Sequence, residues 1–321
     1  MSDNRQLLAD MAEGLFAELS DADFAGAWPR LAEAGFSTLL VPEEKGGFGG
    51  DWVDVLAVLR LAGRNAVPAP VAEPILAHYL LARAGIDAPE GFVSIAAPGR
   101  RVPWGRHADW VVSVEDGKAS LHAADACMFV EGVNPAGEPL DAVSFTGAPI
   151  ASAPCDHDLA ALGAFARVAQ ASGALEAAFA LAIEHVNTRH QFGRALAKFQ
   201  AVQQAMAEFS EEAAAVDAAA AGCAAALDGL DEAGFEIASA KLRTNLAIDR
   251  ATPIAHRVHG AIGFTMEYAL NRYTRRLMSW RSEFGNDAFW AERLGRQVAA
   301  LGGKGLWLEM TARSDRLIDA A

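Results

Sequence analysis

Cysteine is scarce in this chain of 321 residues: Cys127, Cys155 and Cys223 stand far apart with no C-x-x-C spacing. That excludes a disulfide framework or a thiolate metal site and leaves reduced, structural thiols. Long apolar runs are missing too. None approaches the ~18 residues that a membrane-spanning helix requires, and Met1-Ser2-Asp3-Asn4 has no basic stretch leading into an apolar one. A soluble, cytoplasmic protein that makes no use of a membrane is expected. Positive charge is in short supply as well. With 27 Lys and Arg against 41 Asp and Glu, the net charge is -14 and the pI near 5.0. Affinity for a phosphate backbone comes mostly from clustered cations, so nucleic acid is excluded as a partner. Only five of the 27 basic residues are lysines. Arginine gives the better bidentate contact to phosphate or carboxylate, although the same bias follows from base composition in Ala- and Arg-rich genomes.

Apolar residues are plentiful. They make up 52% of the chain, charged residues 21%, and the mean hydropathy is +0.13, so the chain is globular and long enough for two or three packed units. Leu7, Leu8, Met11, Leu15 and Leu19 recur at helical steps, and a second short helix carries Phe24, Trp28 and Leu31 as far as Gly35. The run Leu39-Leu40-Val41-Pro42 then breaks into Glu43-Glu44-Lys45-Gly46-Gly47-Phe48-Gly49-Gly50. This loop lacks both the Lys-Ser/Thr of a P-loop and the G-x-G-x-x-G register, so it reads as structural. Helical pattern returns over 51–64 and, after Pro68, Pro70 and Pro74, over 75–84. From Gly91 to Ile150 the character changes to short β-type runs (92–95, 110–114, 119–122, 127–130), and Glu115-Asp116-Gly117-Lys118 is a hairpin signal. Five or six strands are expected there. Beyond Asp158 three long Ala-rich helices follow: one over 159–188 that stops before His190-Gln191-Phe192-Gly193, one from Ala197 with Phe199, Val202, Met206, Phe209 and Ala213 on a stripe, and one after Asp231 carrying Phe235, Ile237, Leu242, Leu246 and Ile248. The fold class is mainly α with a small β domain: an N-terminal helical bundle (1–90), a reduced middle β-barrel or sheet (91–152) and a C-terminal four-helix bundle (153–321).

Several segments resemble the acyl-CoA dehydrogenase family. Trp28-Pro29-Arg30-Leu31-Ala32-Glu33-Ala34-Gly35 with Val41-Pro42-Glu43 and Gly46-Gly47-Phe48-Gly49 is similar to its opening helices and Pro-Glu…Gly-Gly-x-Gly loop. Arg189-His190-Gln191-Phe192-Gly193 with Phe199-Gln200 resembles its Arg-x-x-Phe-Gly…Gln segment, and His259-Gly260-Ala261-Ile262-Gly263-Phe264-Thr265-Met266-Glu267-Tyr268 its Gly-Gly-x-Gly-Phe-x-x-Glu-Tyr segment. The resemblance implies a flavoenzyme that desaturates an acyl-CoA thioester. A Glu base takes the α-proton, FAD receives the β-hydrogen as hydride, and an electron-transfer flavoprotein reoxidises the flavin. Carried over residue by residue, it assigns Arg189 to the FAD pyrophosphate of a neighbouring chain, Gln191 and Gln200 to polar contacts with that cofactor, Phe192 to packing beside it, and the stretch Arg257 to Ala261, with Gly260, to close backbone approach.

Two departures from the family pattern carry weight. The β unit is short and has no counterpart of the Glu-Pro-x-x-Gly-Ser-Asp and Trp-Ile/Thr-Ser/Thr segments that hold the flavin ring; Arg101-Val102-Pro103-Trp104-Gly105-Arg106 and Ala136-Gly137-Glu138-Pro139 stand in their place. Counted from Arg275, the seat of the base falls on Phe284, with Glu283 one residue early, and the alternative seat counted back from Arg189 falls on Gly163-Ala164. Neighbouring residues on a helix or turn diverge by ~100°, so Glu283 does not simply substitute. The resemblance therefore points to a short subunit of an α2β2 heteromer that completes the FAD site of a longer acyl-CoA dehydrogenase chain, in the catabolism of fatty acids or of bulky acyl groups such as steroid side chains. The alternatives are a homo-oligomer with Glu283 as catalytic base and a non-catalytic acyl-CoA-binding scaffold. His256 and His259 lack the carboxylates of a metal set, and no metal is expected. Asp156-His157-Asp158 reads as a loop and helix cap, Glu267 and Tyr268 as support for the fold, and Trp280, Phe284, Phe289 and Trp290 as core, interface or acyl-pocket lining.

Overall fold

The computed structural model describes residues 3–97, 99–230 and 232–320. The chain divides into two compact units, Met1–Ala62 with Val67–Ala166, and Gly63–Ala66 with Arg167–Ala321.

The first unit holds α1 (Asp3–Leu19), α2 (Phe24–Ala34), the body of α3 (Trp52–Arg64), α4 (Ala72–Ala84) and seven strands. Asp23 starts α2 by accepting from the Gly26 amide at 2.9 Å, and Gly35 ends it at φ 75. Along α1 the inward residues are Ala12, Phe16 and Leu19, whereas Leu7 and Met11 are exposed. The expected leucine stripe is thus corrected: only its last member is buried, because the face that includes Phe16 packs inward. α4 begins three residues ahead of the expected Ile75, since Pro74 falls in the first turn, where a missing N–H costs nothing. The Gly-rich loop spends its amides internally. Gly49 donates to the Val41 carbonyl and Gly50 to that of Leu39, each at 2.9 Å, so these groups do not face a phosphate.

The strands β1 (Val93–Ile95), β2 (Arg101–Pro103), β3 (Trp110–Glu115), β4 (Lys118–Ala123), β5 (Cys127–Val130), β6 (Leu140–Phe145) and β7 (Ala151–Pro154) form two sheets, ordered β1-β3-β4-β7 and β2-β6-β5. Asp116 and Gly117 at positive φ make the β3–β4 turn where the sequence signals it, with Glu115 opposite Lys118. Phe92, Val102, Val111 and Val143 fill the core of this part, with Phe24, Trp28 and Trp104 packed against it.

The second unit is helical: α5 (Leu159–Thr188), whose first turns count with the first unit, then a hairpin of β8 (His190–Gln191) and β9 (Arg194–Ala195), α6 (Gln200–Gly229), α7 (Gly234–His259), α8 (Leu270–Ser282) and α9 (Asp287–Ala320). Alanines at 171, 174, 178, 182, 247, 251 and 255 are buried, which lets α5, α6 and α7 approach closely around Leu175, Phe209, Val216, Ile254 and Leu277. α6 starts three residues later than expected, because Leu196–Lys198 closes a 3-10 turn first. The third helix begins at Gly234; Asp231, expected just ahead of it, lies outside the described residues. Leu246 is exposed, a correction to the expected apolar stripe of α7. The mainly α class with a small β part is as expected. Among the described residues no helix is long and apolar enough to cross a membrane, and no group of three or more His, Cys, Asp and Glu could hold a metal ion.

Candidate functional site

Most of the expected cofactor-binding residues meet at one end of the second unit. α5 runs out at Thr188, and the Arg189 amide still donates to the His185 carbonyl, while Leu196 donates back to the Arg189 carbonyl. The hairpin between them turns on Phe192 (φ 52) and Gly193 (φ 79). A left-handed phenylalanine costs about 1 kcal/mol or more, yet Phe192 is 90% exposed, its ring set edge-on to that of Phe199 with centroids 6.2 Å apart. Arg189, Gln191 and Gln200 are exposed as well, and among the described residues the Arg189 guanidinium has no ion pair.

The His259–Gly260 segment is tied to this end through the His185 and His259 rings, 4.6 Å apart. His259 donates from Nδ1 to the Ala255 carbonyl at 2.7 Å, and its buried Nε2 has no partner among the described residues. Burial pushes His185 and His256 below the ordinary imidazole range, helped for His185 by His259 and Arg189 and for His256 by His259. Gly260 ends α7 at φ 65, ψ -142, a conformation for which only glycine is suited, and the space where a Cβ would stand is open. Arg257 is exposed too. It lies two residues, ~200°, around α7 from His259.

Glu283 lies elsewhere. It follows α8, and its carboxylate accepts from Arg167 Nε at 2.8 Å, both side chains at least nine-tenths buried. Arg167 also donates to Gln170 at 2.6 Å and lies over the Phe284 ring, 5.4 Å from its centroid. Phe284 takes φ 54 and is buried, and its carbonyl accepts from Trp290 Nε1 at 3.0 Å. Lys241, 1% exposed, caps α8 by donating to the carbonyls of Trp280 and Arg281. Burial pushes its ammonium down to about 7, against the pull of Glu283 and with that of Arg167. Arg281 clamps the start of α9 through Asp287 at 2.6 Å and reaches Asp249 at 2.8 Å, while Asn245 donates to Asp287 at 2.7 Å. Burial opposes ionisation of Asp287, but Arg281 and Asn245 hold it below the usual carboxylate range. This network is a fastening of the α8–α9 turn, with no free carboxylate at its centre. Sequence reasoning missed Arg167 and Lys241; a cation inside an Ala-rich helical run, as in Phe165-Ala166-Arg167-Val168-Ala169, was the available signal. Trp280, Phe284 and Trp290 are core, while Phe289 is exposed. Asp158 caps α5 by accepting from the Ala161 amide at 3.1 Å.

In the β part, Arg106 is fully engaged by Asp141 (2.6 Å), Glu131 (3.0 Å) and the Gly132 carbonyl (2.7 Å). Asn134 Oδ1 closes the turn at Ala136–Glu138 by accepting from both of those amides. The Arg106 side chain and the amides of Ala136 and Glu138 are thus spent on the β part's own structure.

Residues 160–299 match the family model described as acyl-CoA dehydrogenase, C-terminal domain. The chain is 28% identical over 259 residues to acyl-CoA dehydrogenase IpdE2 of Mycobacterium tuberculosis, covering 78% of this chain and 79% of that protein. It is 29% identical over 298 residues to acyl-CoA dehydrogenase FadE34 of the same organism, covering 84% of this chain and 41% of that one. In fold it is similar to a subunit in the ChsE4-ChsE5 complex of M. tuberculosis (TM-score 0.77, 21% identity, 93% of this chain and 98% of that chain) and to a steroid ACAD (TM-score 0.84, 20% identity, 93% and 98%). The family-model match spans the motifs at 189–200 and 259–268, and over most of its length the chain is similar to acyl-CoA dehydrogenases.

Proposed function

We propose that this chain is an accessory subunit of a flavin-dependent acyl-CoA dehydrogenase and completes an FAD site whose ring is held by a longer partner subunit. One observation carries the reading: the hairpin at the end of α5 presents an Arg189 with no ion pair among the described residues and a 90% exposed Phe192, while Phe284 fills the base seat and Glu283 is consumed by Arg167. The residues at the hairpin end fit the outer part of FAD. Arg189 binds the pyrophosphate through its planar fork, Gln191 and Gln200 donate or accept at the cofactor's polar edge, Phe192 packs on its apolar face, and Gly260 lets backbone approach where a side chain would intrude. Arg257, on the other side of α7, adds positive potential. FAD, when bound, supplies a hydride acceptor. The base that takes the α-proton belongs to the partner.

The β part supports the same reading, because Arg106 and the 134–138 turn are occupied in holding the sheet. Division into 1–90, 91–152 and 153–321, a cytoplasmic location, reoxidation by an electron-transfer flavoprotein, and a bulky acyl-CoA substrate of the steroid side-chain type complete the proposal; the last draws support from the steroid ACAD of similar fold. The test is to purify the chain alone and together with a longer homologue encoded beside it. The lone chain is expected to be colourless and the pair to carry flavin absorbance that Arg189→Ala lowers at least tenfold in FAD affinity. Stoichiometric flavin on the lone chain overturns the proposal.

A further inference from the structure

The helix α9 outlasts the family's domain. The match to the acyl-CoA dehydrogenase C-terminal domain stops at residue 299, and the helix breaks at Gly302 (φ 68, ψ 167) before running on to Ala320. This appended segment is anchored on its inner side. Arg313 pairs with Glu236 at 2.5 Å and donates to the Glu232 carbonyl at 2.7 Å, and Met310 and Leu317 line a groove of about 350 Å³ against α6 and α7.

Among the described residues its outer side is unpartnered, and it is patterned. Lys304, Leu308, Thr311, Asp315 and Ile318 follow one another at steps of four, three, four and three, and all are exposed, Leu308 at 67% and Ile318 at 73%. This is the spacing of the a and d positions of a two-stranded coiled coil. Trp307, 69% exposed, flanks the seam. The order of residues selects the occupant. If a second copy lies antiparallel, a twofold axis between residues 309 and 310 sets Leu308 against Thr311, Lys304 against Asp315, and Ile318 near Leu301 before the break. Each contact then occurs twice, as a closed isologous pair requires. A parallel pair would instead set Lys304 on Lys304 and Asp315 on Asp315, which like charges disfavour.

We propose that residues 303–320 form a self-association surface through which two copies of this chain pair antiparallel. The polar Lys304–Asp315 layers cost stability and fix direction and register. With so few layers the interface falls below the ~1,200 Å² of a standard protein–protein contact, so it is a weak link that gains strength when other contacts hold the same two chains together. The proposal does not rest on the role assigned to the flavin site.

The test mixes two full-length variants, Lys304→Cys and Asp315→Cys, under mild oxidation. A disulfide needs Cα atoms within about 7 Å. The antiparallel register brings residue 304 of one copy to residue 315 of the other, but keeps 304 from 304 by eleven residues, ~16 Å along the helix. A covalent dimer is expected from the mixture and from neither variant alone, with the wild type controlling for Cys127. The cross-link reports this contact whatever other surface the chain uses. In sedimentation, Lys304→Glu and Asp315→Lys should each weaken self-association roughly tenfold, from two attractive pairs turned repulsive, and K304E/D315K together should restore it. No mixed dimer, cross-linking of each variant with itself, or no rescue by the swap overturns the proposal. The last of these, with unchanged association, assigns the face to a different protein.

Discussion

Arg167 and Glu283 stand 116 residues apart in sequence and 2.8 Å apart in the fold, and their pairing decides how Glu283 behaves. A buried charge stripped of its partner costs about 3–5 kcal/mol, so Glu283→Ala, which strands Arg167, should lower stability by that order in urea unfolding. Glu283→Gln retains an acceptor oxygen and should cost less. As an accessory residue it should also leave turnover of the assembled enzyme within about twofold of wild type; its loss in a well-folded E283Q assembly would return Glu283 to the role of base. Lys241 gives a second handle. Its folded value near 7 lies below the ordinary 10.5, so between those limits the unfolded chain holds a proton that the folded chain lacks. Stability therefore rises with pH through that window, by up to about 1.4 kcal/mol per unit, and falls as pH drops toward 7. Comparing unfolding free energies at pH 7.5 and 8.5, the wild type should gain about 1 kcal/mol more than Lys241→Met, and equal gains would refute the assignment. At this scale the sequence was legible for the exposed residues of the hairpin, whose motif is contiguous. Pairs such as Arg167–Glu283 were not, because nothing local tells a buried cation which distant carboxylate it meets.

Helices and turns followed their local signals wherever the determinants are local. The Asp116-Gly117 turn and the span 159–188 came out as the pattern predicts, since a two-residue turn and a 30-residue Ala-rich run each specify their own backbone. β2, β6 and β7 were missed: β2 and β7 are three- and four-residue strands that each end in a proline, and only pairing with β6 and β4 makes them strands. The α1 stripe went astray for a related reason, because a helix with apolar residues on more than one side takes its inward face from what packs on it. The Gly-rich loop is the element whose reading is easiest to test. A Cβ on Gly47 would stand 2.1 Å from the Val41 carbonyl oxygen, a clash with backbone that no rotamer relieves. Gly47→Ala should therefore destabilise the first unit by about 2–4 kcal/mol. Gly46→Ala adds no close contact but forces alanine to φ 81, and should cost only about 1 kcal/mol. Thermal unfolding of the two variants side by side gives the comparison, and equal shifts would count against a packed loop.

Two association surfaces are proposed on one helical unit, and α7 measures the distance between them. Arg313 of the appended helix grips Glu236 near the start of α7, whereas the His185–His259 contact ties the hairpin to its end. Twenty-three residues separate 236 from 259, ~35 Å of helix at 1.5 Å each. Sites that far apart with no shared side chain are expected to act additively. The net charge of -14 on each copy opposes every homotypic contact through the same long-range repulsion, which salt screens. Self-pairing through residues 303–320 should therefore strengthen between about 20 and 150 mM salt even as the Lys304–Asp315 attraction weakens, since fourteen net charges per copy outweigh two pairs. Additivity yields the sharper prediction. Lys304→Glu should disrupt sedimentation of the self-pair yet leave flavin content of the complex with the longer homologue unchanged, and Arg189→Ala should lower flavin content yet leave the Lys304→Cys/Asp315→Cys cross-link unchanged. Combined in one chain, the two substitutions should show both effects at their separate sizes, within about 0.5 kcal/mol. A larger departure would mean that the ends of α7 communicate and that pairing of the short subunits sets the geometry of the flavin site.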